Sequence, residues 1–534
     1  MHSKPQKNNH RTDALRAFLF NGLLLTVASL SMRFIAMSFQ IFVSEHAGSE
    51  AVGLYSVIGG VYGFLLTLAT SGIQLGTTRM ISEALGRDDL GEARTARNLC
   101  LSYAMFFGTL STLLLLIGAK PIGILILKDE RTIKAMRLLA ISLLPIAISS
   151  VLNGYFVAVR RVYKNALCGM LEQGFRIGIT SAFLLYVLPK SIENACIALV
   201  LGSVLSEILS ALLLGILFFI EQRKNKPRKS AIPKPVLRKR LLGISLPIAF
   251  SAYARSGLLS IEHMLIPIGL SAFFGDRSVA LSSFGILQGV VFPVLLFPSA
   301  ILSSYAGLLV PEIAECNVRG ERERIRKIVM SIIRGTLLFS IGVSGIMLSF
   351  SHEIGSVLQS SHEAAYYLRL LAPLIPIMYL DTAADSVLKG HGEQVFCMQV
   401  NIIDSLISVL LVWLLLPKMG IEGYILVVYI AEILNASLSI TRLLQVTHLK
   451  ASLFRIWLIP LFSVIGATSM IRMLSGFLKK CVDSLPSGIA AIVFDVILAS
   501  VLYILLLFLF KAIRKEECAR VKRRLFRKAT PQKL

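Results

Sequence analysis

Long apolar runs leave this chain few ways to fold. Fourteen of them are spread over its 534 residues, at 14–43, 52–76, 99–117, 136–159, 166–188, 195–220, 241–270, 279–309, 328–350, 364–388, 395–416, 421–444, 453–471 and 488–510. A helix that crosses a bilayer needs ~20 mostly apolar residues. Inside lipid no water can satisfy a bare peptide group, so a spanning segment must be a helix or part of a closed barrel. Runs this long without apolar–polar alternation are helices. The expectation is an all-α polytopic membrane protein of about 14 transmembrane helices, with no soluble domain large enough to work alone. Composition agrees, with 55% hydrophobic and 16% charged residues, against ~25% charged in a typical soluble chain.

A net charge of +24 is of the size that nucleic-acid-binding chains carry, but its placement points elsewhere. With a cytoplasmic N-terminus and alternating loops, most Lys and Arg fall on the inner side, which is the positive-inside pattern. The inner loops 223–240 and 319–327 and the tail 511–533 are the richest, whereas the outer loops 44–51 and 351–363 hold no Lys or Arg. Both termini are therefore expected to be cytoplasmic, with the basic tail resting on anionic lipid and no nucleic-acid partner. The first apolar run is too long for a cleaved signal peptide, and no small-residue cleavage site follows it. The seven cysteines are scattered without CxxC spacing, so neither a disulfide framework nor a zinc site is expected.

The chain also repeats itself. Arg137-Leu-Leu-Ala opens the fourth run and Arg369-Leu-Leu-Ala the tenth; Leu188-Pro-Lys precedes the sixth and Leu416-Pro-Lys the twelfth; Glu207-Ile-Leu in the sixth matches Glu432-Ile-Leu in the twelfth. A repeat of six spans enters the membrane twice from the same side, which makes the two copies parallel. Two parallel six-helix lobes plus two extra C-terminal helices follow: an N-terminal lobe over 1–221, a basic cytoplasmic linker over 222–240, a C-terminal lobe over 241–445, spans thirteen and fourteen within 446–512, and a basic tail over 513–534. The segments 79–98 and 311–327 occupy equivalent inner positions and mix acids with bases at helical spacing, so each is expected to lie on the inner surface as a short helix.

Asn153-Gly-Tyr-Phe, Leu171-Glu-Gln-Gly-Phe-Arg-Ile-Gly178, Leu246-Pro-Ile and Leu309-Val-Pro-Glu-Ile-Ala-Glu315 carry a resemblance to the multidrug/oligosaccharidyl-lipid/polysaccharide flippase superfamily. Within it the chain resembles the stage V sporulation protein B and polysaccharide-exporter branch, which is similar to the lipid II flippases. The resemblance covers both lobes, roughly 14 to 445. Span seven departs from it by reading Ile261-Glu-His, where the family pattern has an aspartate after the isoleucine. The resemblance implies a bacterial cytoplasmic membrane protein, acting as a monomer by alternating access, that moves lipid-linked sugars through a central cavity. It implies no cofactor, only a coupling ion, sodium or a proton.

A charged residue at the centre of a spanning helix costs roughly 2.5–3.5 kcal/mol on insertion scales and so faces a cavity or a partner. Arg33, Arg176 and Arg255 lie near the middles of spans one, five and seven. Arginine stays ionised and grips phosphate with two parallel hydrogen bonds, so three arginines suit a diphosphate-bearing substrate. Each has a plainer reading: Glu172 shares a helical face with Arg176 and pairs with it at i,i+4, Glu262 lies two turns from Arg255, and Arg33 pairs with another helix. Glu262, Asn401 and Asp404 together offer oxygens for a sodium ion or a proton relay, against plain hydrogen bonding between helices. Glu207, Asp381, Asp385, Glu432 and Asp495 are further acids in the spans, and His263 reads as a wall residue.

The function expected is a secondary transporter, a flippase for a lipid-linked oligosaccharide or a peptidoglycan or polysaccharide precursor. A cation-coupled multidrug exporter of the same superfamily is the first alternative; its sites need acids in the first lobe, where span one carries an arginine and no acid. A membrane-embedded glycan-modifying enzyme is the second; no nucleophile motif or metal-ligand spacing supports it. The absence of a GxxxxGK[ST] loop excludes ATP hydrolysis of that type as the power source.

Overall fold

In a computed structural model, the residues described are 31–87, 89–187, 191–222, 233–302, 319–359, 362–449, 453–481 and 489–510, with 313, 316, 317 and 512. The start of span one, most of the basic linker and of the 309–315 motif, the Leu188-Pro-Lys segment and nearly all of the basic tail lie outside them. Among the described residues the protein is almost wholly helical, and eleven helices are long and apolar enough to cross a membrane. The helix Gln394–Thr447 is two helices merged across a kink at Gly420, whose φ of 60° and ψ of −135° suit only glycine. That kink falls between the runs 395–416 and 421–444. Span five, with Glu172 and Arg176 in it, is not among the eleven.

Contacts group the chain into two compact units, one made of 39–289 with 401–431 and the other of 1–38, 290–400 and 432–534. The first holds α2 (Ser49–Thr70), α3 (Ile73–Gly86), α4 (Leu90–Pro121), α5 (Arg131–Ala158), α6 (Val162–Ala182), α7 (Ile192–Gln222), α8 (Lys234–Phe274) and α9 (Arg277–Ile286). They follow α1, residues 31–47. Along α2 the buried residues Val57, Ile58, Val61 and Leu65 recur at helical spacing, which turns one stripe inward. Small residues let the helices touch through their backbones, as in membrane packing generally. A Cβ on Gly53 of α2 would overlap the carbonyl of Leu281 in α9, and one on Gly285 of α9 would overlap that of Ser49.

The inner segment 79–98 is not a separate surface helix. It is the end of α3 and the start of α4, with the break held by side chains. Asp89 caps α4 by accepting the Glu92 amide at 2.8 Å, and Arg87 and Arg240 both bind carboxylates there, Arg87 on Glu92 at 2.6 Å and Arg240 on Glu83. The mixed charges thus cap and staple helix ends. Of the corresponding segment 311–327, the described part from Arg322 onward is the start of the helix Arg322–Ser349.

The second unit is centred on that helix. Its buried Ile325, Val329, Ile332, Leu337 and Ile341 pack with Val464, Ala467 and Ile471 of the helix Leu453–Cys481 and with Ala499, Tyr503 and Leu507 of Ile489–Leu509. Tyr503 donates to the Leu338 carbonyl at 2.6 Å. Spans thirteen and fourteen, though outside the repeat, are therefore packed into a core.

Candidate functional site

The ionisable side chains inside the spans fall into separate groups. In the first, α6 places Glu172 and Arg176 one turn apart, and their side chains meet at 3.4 Å. Glu207 on α7 approaches the same guanidinium at 3.7 Å. Its other oxygen accepts the Tyr62 hydroxyl of α2 at 3.1 Å, and Tyr62 also bonds Ser142 of α5 at 2.7 Å. Four helices are thus tied by one polar network, one guanidinium against two carboxylates. The plainer reading of Arg176, a pair with Glu172, describes its surroundings, with Glu207 added.

In the second group α8 carries Arg255 and, two turns on, Glu262. The helix Gln394–Thr447 brings Asp404 within electrostatic reach of both. Asp404 Oδ1 is buried and receives no hydrogen bond from the described residues. Asn401 lies one turn before Asp404 on the same helix. Two carboxylates and an amide oxygen are ligands that sodium accepts, as hard cations take oxygen donors; among the described residues no set of three or more His, Cys, Asp or Glu side chains is placed to hold a metal. Arg33 is exposed on α1, and neither it nor Arg255 has a carboxylate at ion-pair distance among the described residues. His263 packs its ring edge-on to Phe284 at 6.0 Å, as a wall residue does.

A third group went unread in the sequence. Asp129, in the turn before α5, binds Arg131 at 2.8 Å and Arg277 of α9 at 3.2 Å. Arg131 reaches on to Glu50 of α2 at 2.9 Å, and Glu50 accepts the Ser278 hydroxyl at 2.5 Å. Burial raises the affinity of Asp129 for a proton, but the hydrogen bonds and charge of Arg131 and Arg277 outweigh it and hold the carboxyl below the usual carboxylate range. Only the cluster of charges at 129–131 hinted at this; the partner at 277 is too distant in sequence to infer.

Comparison with known proteins follows the same lines. The model of the polysaccharide biosynthesis protein family matches residues 18–316, more than half the chain, and the MatE model matches 264–414. Stage V sporulation protein B of Bacillus subtilis (strain 168) is 26% identical over 517 residues, covering 95% of this chain and 98% of that protein. Lipid II flippase MurJ of the same organism is 21% identical over 448 residues, covering 78% of this chain and 81% of that protein. A solved structure of lipid II flippase MurJ in an inward closed conformation shares the fold with a TM-score of 0.69 at 13% identity, over 91% of this chain and 98% of that one. A multi-pass helical fold, the two family models and the flippase relative converge: the chain is a transporter of the multidrug/oligosaccharidyl-lipid/polysaccharide flippase superfamily and belongs to its polysaccharide biosynthesis protein family.

Proposed function

We propose that the chain moves a lipid-linked glycan, an oligosaccharide or a peptidoglycan or polysaccharide precursor on a polyprenyl diphosphate, across the cytoplasmic membrane by alternating access. The observation that carries this reading is Arg33, a guanidinium without a carboxylate at ion-pair distance among the described residues. Arg33 sits on an apolar span with no ion pair among the described residues, and a guanidinium so placed must find water or an anion; Arg255, with Asp404 within electrostatic reach, would add a second guanidinium for substrate. A diphosphate supplies that anion, and two of its oxygens can take the parallel hydrogen bonds of the planar guanidinium fork. Arg176 has two carboxylates beside it, so its contribution to substrate binding is shared with them. Glu262, Asn401 and Asp404 would take the coupling ion, sodium or a proton. The name of the relative MurJ, a lipid II flippase, supports the same substrate class.

Both termini face the cytoplasm in this reading, two six-helix lobes alternate around the substrate, and a monomer suffices. The match of the MatE model to 264–414 favours a second reading, export of cationic compounds. Thermal melting of the purified protein in lipid nanodiscs separates the two, because a ligand that binds only the folded state raises the melting point. A polyprenyl diphosphate carrying a disaccharide should raise it, and a quaternary-ammonium dye should not. Stabilisation by the dye alone would replace the flippase reading with the exporter.

A further inference from the structure

The network around Arg176 borders a cavity of about 360 Å³ walled by spanning helices of one compact unit. That volume is at the small end of the roughly 300–1,000 Å³ typical of ligand pockets. Its polar lining includes Gln74, Ser150, Asn153, Glu172, Glu207 and Ser210, and its apolar lining is Leu66, Ile146 and Leu214. Ser150 and Ser210 line it as buried residues, 9% and 4% exposed. Ser149, also in the lining, has a buried hydroxyl oxygen without a partner. Buried polar groups in native proteins are paired as a rule, so an unpaired hydroxyl on the cavity wall marks a place where something else supplies the bond.

The chemistry of that something follows from the charges. Two carboxylates repel a phosphate. Arg176 lies within 3.4 and 3.7 Å of them, so neither carboxylate stands alone to draw in a cation. What remains is a wall of acceptors and donors broken by aliphatic side chains. A carboxylate accepts hydroxyl hydrogens on both oxygens, serine hydroxyls and the Asn153 and Gln74 amides both donate and accept, and leucine and isoleucine pack on C–H faces. A hexose ring, ringed by hydroxyls with apolar faces above and below, has this pattern.

We infer that the cavity between α2, α3, α5, α6 and α7 is a subsite for one neutral sugar of the transported lipid, separate from the arginines assigned to its diphosphate. The inference rests on the flippase reading above. Ser150 and Asn153 stand one turn apart on α5, on the cavity wall, and the sugar displaces whatever water now fills it. The transporter thereby distinguishes a glycosylated carrier from the bare lipid.

The test measures binding to the full-length protein in nanodiscs by native mass spectrometry, with two probes: a polyprenyl diphosphate bearing an N-acetylated disaccharide, and the same lipid without sugar. Wild type should bind the glycosylated lipid about tenfold more tightly, the worth of one or two hydrogen bonds in a buried site. Ser150→Leu, which fills the cavity, and Asn153→Ala, which empties one wall, should each bring the two affinities together while leaving the bare lipid bound as before. If either variant that still binds the bare lipid keeps the full preference, the sugar subsite is wrong and the flippase reading stands. If wild type binds neither lipid, the flippase reading fails and the subsite with it. Should Ser150→Leu lose both lipids through misfolding, Asn153→Ala decides.

Discussion

Arg277 on α9 places its Nε 3.2 Å from Oδ2 of Asp129, a residue 148 positions earlier in the chain. Asp129 is almost fully buried, and Arg131 and Glu50 extend the contact to α5 and α2. Removing the carboxylate charge leaves Arg131 with Glu50 alone and takes from Arg277 its carboxylate partner among the described residues. Asp129→Asn should therefore cost roughly 1.5–3 kcal/mol, the range for hydrogen bonds to charged groups, read as a lower melting temperature in nanodiscs. The pH dependence has a definite sign. The native carboxyl is held below its unfolded value, so its contribution is complete above the unfolded pKa of ~3.9 and is lost as pH falls through the native one. The difference between wild type and Asp129→Asn should be flat from about pH 8 to about pH 5 and shrink only in stronger acid. A difference that has already vanished by about pH 6 would contradict the assignment.

Two glycines in α2 should respond oppositely to the same change. Gly53 faces the α9 backbone, whereas a Cβ on Gly59 meets nothing within 4 Å. Alanine is a better helix former than glycine by about 1 kcal/mol, so Gly59→Ala should leave stability unchanged or raise it. Gly53→Ala must push α2 and α9 apart and should lower the melting temperature or the yield of folded protein. Equal behaviour of the two variants would show that the close approach does not matter.

The topology has its own check. Glu45 is exposed at the end of α1, in a segment that the charge pattern places outside, and Ser230 belongs to the basic linker placed inside. A cysteine at Glu45 in a background without accessible thiols should react with an impermeant maleimide in intact cells, and one at Ser230 should not. Labelling at Ser230 would reverse the orientation.

The helices were legible because lipid imposes length and apolarity on every span, and the break between spans eleven and twelve because Pro417 and Gly420 stand there. The pair Glu172–Arg176 was legible because four residues make one helical turn. What brings Glu207 and Tyr62 to the same guanidinium is the packing of α7 and α2 on α6, which no local spacing encodes. The group of Glu50, Asp129, Arg131 and Arg277 was missed for the same reason, since each charge alone reads as an ordinary loop residue near a helix end. The mixed charges of 79–98 were misread as a surface helix because capping by Asp89 and ion pairing to Arg240 look, along the chain, like amphipathicity. The cavity beside Arg176 had no linear signature, its lining being drawn from five helices.

Flipping in proteoliposomes tests the central claim most directly, that arginines in the spans recognise an anionic, diphosphate-linked glycan. The measured quantity is the rate at which a fluorescent polyprenyl diphosphate disaccharide reaches the opposite leaflet, at matched amounts of folded protein. Lysine at position 33 keeps the charge but loses the bidentate fork, and alanine loses both. The rate should fall in the order wild type, Arg33→Lys, Arg33→Ala, with alanine down roughly tenfold or more, as expected for losing charged hydrogen bonds of at least about 1.5 kcal/mol. Insertion and abundance should stay near normal. An Arg33→Ala protein that flips the glycolipid as fast as wild type, or a wild type no faster than empty liposomes, would contradict the account.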